Sequence, residues 1–167
     1  MRPELLDPVT DPEKLEALIP LTSKVLELHE AGRKYEDVLA DIARLTGRIV
    51  SRYEVAAAFG GSDGMGFARG LLVDWERIPA DLSRQELLEA MVMVCTDASD
   101  PIRTSYLLKC LALNTGDDQI SDLIYWPDQY RGGKYEGQEL EPEKILEIAL
   151  RSGRKDAELD WPNPAGA

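Results

Sequence analysis

Apolar residues recur at helical spacing along nearly the whole chain, and no stretch alternates with period two for long. A chain without alternating faces cannot build a half-buried sheet, so its core has to form between helices. Leu15, Leu18, Ile19, Thr22, Val25, Leu26 and His29 mark a first long helix over residues 12–31. Asp11 is placed to cap it, Pro12 suits its first position and Gly32 stops it. Pro20 lies inside this helix and is expected to kink or split it. Tyr35, Val38, Leu39, Ile42 and Leu45 form the face of a second helix, ended by Gly47. An alanine-rich helix over 50–59 and another over 65–75 flank the Gly-rich run 60–64. That run lacks the Lys-Ser/Thr ending of a phosphate loop and reads as a plain turn.

Residues 76–81 look like a joint. Ser83 and Glu86 have the spacing of a capping box, and Leu87, Leu88, Met91, Val94 and Cys95 follow on a broad apolar face. Pro101 starts the next helix, whose buried side is expected to hold Ile102, Tyr106, Leu107, Cys110, Leu111 and Leu113. Pro142 starts the last, with Ile145, Leu146, Ala149 and Leu150 inward and Gly153 as its stop. The chain therefore reads as all-α: a helical unit over 1–78 with an extended lead-in, a second helical unit over 79–153, and a flexible tail over 154–167.

The formal net charge is −12, from 31 acidic against 19 basic residues. Phosphate backbones need neutralising cations, so this balance argues against direct nucleic-acid binding. It suits a basic protein partner, and it also suits mere solubility. Cys95 and Cys110 sit in apolar helical patterns and read as small buried residues. A single histidine, His29, leaves no His-based metal or triad site. Asp117, Asp118 and Asp122 read as solvated turn acids rather than metal ligands. Tyr106 and Cys110, four apart on one helix face, fit packing rather than a nucleophile and its base. No apolar run is long enough to cross a membrane. The N-terminus is too polar for a signal peptide, so the expected location is cytoplasmic. The chain reads as a non-enzyme, with no catalytic residues, cofactor or metal.

One short stretch stands apart: residues 120–127, Ile-Ser-Asp-Leu-Ile-Tyr-Trp-Pro. A helix of ordinary length does not fit between Gly116 and Pro127 with its caps. One helical turn does, with Ser121 or Asp122 near its start and Pro127 beyond its end. Such a turn can bury Leu123 and Ile124 while displaying Tyr125 and Trp126 as anchors for a protein partner. The other reading places both rings in the core. Asp122 either caps its own helix or accepts hydrogen bonds from a partner.

The order of features over residues 80–153 resembles the immunity proteins of the E-group colicin and pyocin nucleases. A Ser83-x-x-Glu86 helix start leads to an apolar helix ending at Cys95. A second helix ends in Thr115 and a short polar turn. Then comes Ser121-Asp122-Leu123-Ile124-Tyr125-Trp126-Pro127, similar almost letter for letter to that family's Ser-Asp-Leu-Ile-Tyr-Tyr-Pro. A polar, glycine-bearing loop and an amphipathic helix after Pro142 complete the order.

The resemblance implies a four-helix bundle whose third helix is a single turn. It also implies a non-enzymatic protein that binds and inhibits a basic toxin nuclease domain. Shared anchors by position are Asp122, Tyr125 and Trp126, with Pro127 shaping the turn and Ser121 counted among the partner-binding residues. Partner choice falls to the preceding helix, here Arg103, Thr104, Ser105, Leu108, Lys109 and Ala112. The family places acids on that helix; this chain has Arg103, Lys109 and Ala112 instead, and Trp126 replaces the second Tyr. The alternative is a non-catalytic interaction or regulatory module that keeps the fold without a nuclease partner.

Overall fold

The structure, a computed structural model, describes residues 1–97, 99–133, 135 and 137–156. Among these the chain is all helical, with no strand. The first helices are α1 (Pro3–Leu6), α2 (Pro12–Glu30), α3 (Glu36–Thr46), α4 (Arg52–Gly61) and α5 (Gly64–Leu72). After the joint come α6 (Arg84–Thr96), α7 (Pro101–Thr115), α8 (Ile120–Tyr125) and α9 (Pro142–Asp156). A 3-10 turn, Tyr130–Gly132, lies between α8 and α9. The tail beyond Asp156 lies outside the described residues.

The chain forms two compact units: Leu6–Trp75, and Met1–Leu5 together with Glu76–Ala167. The expected division at residue 78 thus falls slightly earlier, and the first five residues belong to the second unit. The lead-in is also not extended. Leu5 on α1 is fully buried, because a Leu-bearing turn gains more from burial than an open segment does.

In the first unit α2 packs against α3, α4 and α5. Leu18, Val25, Tyr35, Ile42, Val55, Phe67 and Leu71 build its core. Pro20 neither splits nor ends α2, which runs unbroken from Asp11's cap on the Lys14 amide. Gly64 sits where α5 meets α2: a Cβ there would lie 2.0 Å from Ser23 Oγ and 2.9 Å from Ser23 Cα. Only glycine permits that approach.

In the second unit α6, α7 and α9 pack against one another, and α8 packs on α7 and α9. The capping box at Ser83 and Glu86 starts α6, and Asp100 caps α7 through the Ile102 and Arg103 amides. Arg2 donates to Glu86 Oε1 at 2.9 Å and to Asp81 Oδ1 at 2.8 Å, fastening the N-terminal segment beside the start of α6. Asn114 fixes the joint: its Oδ1 accepts the Leu82 amide at 2.9 Å and its Nδ2 donates to the Pro79 carbonyl at 2.7 Å.

Burial expectations in this unit change at several positions, and Ile102 on α7 is half-buried rather than buried. On α6 the buried stripe is Leu87, Ala90, Met91 and Val94, so Cys95 falls off its edge and is exposed. On α7 Leu113 lies at the margin of the stripe through Leu107 and Cys110, and it too is exposed. On α9 Ile148 is buried rather than Leu150, which is half-buried. Gly153 does not stop α9. A Cβ on it would lie 1.9 Å from the Thr115 carbonyl oxygen and 2.7 Å from Gly116 C, so α9 crosses the end of α7 at a glycine-only contact.

Candidate partner-binding site

α8 is a six-residue helix that starts at Ile120, with Gln119 at its N-cap and no side-chain capping bond. Ile120 and Leu123 point inward and are buried. Ile124 is half-buried. Successive helical residues turn by about 100°, so burying Leu123 carries Tyr125 to the opposite face, while Trp126 leaves the helix at a non-helical C-cap, φ −141° and ψ 61°. Tyr125 is 42% and Trp126 52% exposed. Their rings meet edge to face, with centroids 5.7 Å apart. Each ring thus limits the rotamers of the other before any partner arrives. Partial burial raises the Tyr125 phenol above its ordinary range, with a smaller contribution from Cys95.

Ser121, Asp122 and Pro127 are half-buried. The Asp122 backbone carbonyl accepts the Trp126 amide at 2.8 Å, while its carboxylate caps nothing in α8. On α7, Ser105 is exposed, and Thr104, Leu108 and Ala112 are half-buried; their spacing puts them along one face of that helix.

Arg103 is not a free cation on this surface. It donates to Asp97 Oδ2 at 2.5 Å, and its side chain keeps only 18% of its exposure. The Ser99 hydroxyl and amide, followed by Arg103, hold the Asp97 carboxyl below its ordinary range. The Arg103 charge is thus already paired within the chain. Asp118 and Asp128, which flank α8 in sequence, and Glu139 and Glu141 in the following loop are exposed.

Asp117 is not a solvated turn acid. It is fully buried, as is Tyr130 at 1% exposure. The Tyr130 hydroxyl donates to Asp117 Oδ2 at 2.6 Å and accepts from the Ser152 hydroxyl at 2.8 Å. The Gln119 amide donates to Asp117 Oδ1 at 3.1 Å, and Arg131 reaches the same oxygen at 3.4 Å. Arg131 Nε also donates to the Tyr130 oxygen at 3.2 Å, and the guanidinium lies over the Tyr130 ring. Arg131 adopts φ +45°, the left-handed region that non-glycine residues occupy at a cost, and the pairing with Asp117 and Tyr130 offsets it. Asp117-Asp118 offered no hint of which acid is inside. The loop after α8 holds two aromatics, Tyr130 and Tyr135, and nothing local singles out the first.

Among the described residues no group of His, Cys, Asp and Glu is placed to hold a metal ion, and no helix is long and apolar enough to cross a membrane. No family model, curated protein or solved structure matches the chain.

Proposed function

We propose that this chain is an immunity-like protein that binds a basic toxin nuclease domain in the bacterial cytoplasm and blocks it without catalysis of its own. The observation that carries the reading is the exposed, edge-to-face Tyr125–Trp126 pair on a one-turn helix. Large flat rings lose few rotamers on binding and exclude much water, so truncation of each is worth about 2 kcal/mol or more. Exposed acids around the pair speed encounter with a basic surface more than they tighten the complex. The half-buried and exposed face of Thr104, Ser105, Leu108 and Ala112 on α7 supplies the neighbouring area that discriminates partners.

The test is protection of growing cells. Where a neighbouring gene encodes a secreted protein with a basic nuclease domain, that domain is expressed with the wild type or with Tyr125→Ala/Trp126→Ala. Wild type should restore growth and the double variant should not, while both keep the same helix content by circular dichroism. Equal protection by the two, or unfolding of the double variant, would remove the reading.

A further inference from the structure

Asp117 and Tyr130 flank the anchor stretch in sequence, 13 residues apart, and their side chains meet at 2.6 Å. The bond closes a loop that contains all of α8 and Pro127. At one end Asp117 accepts the Gln119 amide, and the Gln119 carbonyl accepts the Asp122 and Leu123 amides that start α8. At the other end the Trp126 carbonyl accepts the Gln129 amide at 2.8 Å and the Tyr130 amide at 3.2 Å. Side chains that meet each other are thus wired through backbone to both ends of the element that displays the rings. Apart from its packing on α7 and α9, α8 has no side-chain cap of its own. Six residues without a side-chain cap are far below the length at which a helix persists unaided. Its own buried contribution is Ile120 and Leu123.

We propose that the Asp117–Tyr130 hydrogen bond is a clasp that fixes α8, making both residues positioning residues for Tyr125 and Trp126. The purpose of the clasp rests on the binding reading above; its mechanics do not. Ser152 fastens the clasp to α9, and Arg131 covers it from the loop side. A partner then meets rings that are already ordered, which lowers the ordering cost of binding.

Amide hydrogen exchange on the full chain tests the clasp with no partner present. Tyr130→Phe keeps the ring and removes the hydroxyl. It should speed exchange at Leu123, Trp126, Gln129 and Tyr130 by about tenfold or more beyond any change at α6 and mid-α7. Asp117→Asn keeps an acceptor oxygen toward Tyr130 and should give a smaller acceleration at the same amides. Unchanged exchange at those amides in Tyr130→Phe would overturn the proposal. So would uniform acceleration, or loss of the folded state, in both variants, since either assigns the pair to the general core. A clasp that behaves as expected in a chain that protects no cell removes the binding reading and leaves the clasp.

Discussion

Tyr130 carries the sharpest consequence at the scale of single residues. Burial, and then the adjacent Asp117 carboxylate, push its phenol above the ordinary value of 10.0. The fold favours the protonated hydroxyl. Its stabilisation is therefore complete below about pH 10 and is lost as pH rises through the higher folded value. Stability measured by urea unfolding should fall steeply above pH 10 in the wild type. In Tyr130→Phe it should start about 2 kcal/mol lower at neutral pH, the order of a hydrogen bond to a charged group, and fall less steeply. Equal slopes in the two proteins would contradict the arrangement. None of this was legible in sequence. Period and capping rules describe helices, whereas Asp117 and Tyr130 lie in turns, and their meeting depends on how α7, α8 and α9 pack. Tyr125 and Trp126 were half legible: burial of Leu123 turns Tyr125 outward, whereas Trp126 is exposed because the helix ends before it.

Among the elements, the caps and stripes were the most readable features. Ser83-x-x-Glu86, Asp11-Pro12 and Asp100-Pro101 all start helices where their chemistry says they should. The margins were less readable, since the edge of a stripe depends on which neighbour covers it; Cys95 and Leu113 are exposed for that reason. Gly153 shows a different limit. A glycine late in a helical pattern signals a stop, but here it lets α9 touch the carbonyl of Thr115. Gly153→Ala raises helix propensity and yet should destabilise the protein by about 1–3 kcal/mol through overpacking. Chemical unfolding checks the sign: a stabilised alanine variant would mean the two helices part without cost. Ser152, the neighbouring residue, anchors Tyr130, so the same substitution should also loosen α8 in hydrogen exchange.

For the whole molecule, the all-α class followed from periodicity alone, because no alternating stretch was present to build a sheet on which helices could pack. The unit boundaries did not. Met1–Leu5 joins the second unit through the burial of Leu5 and the pairing of Arg2 with Asp81 and Glu86, contacts more than seventy-five residues apart in sequence that local patterns cannot encode. Asp81 and Glu86 are held below, and Arg2 above, their ordinary ranges mainly by hydrogen bonds; for Glu86 the Ser83 backbone comes first. The charge of −12 suits a basic partner and equally suits mere solubility. The central claim is that the molecule's exposed rings form the heart of a protein interface. Calorimetric titration of the purified nuclease domain into the wild-type chain and into Tyr125→Ala/Trp126→Ala tests it directly. Tight binding by the wild type and a loss of about a hundredfold or more in the variant, with equal thermal stability, is the expected result. Equal affinity of the two proteins for the nuclease, or no binding by the wild type, would contradict it.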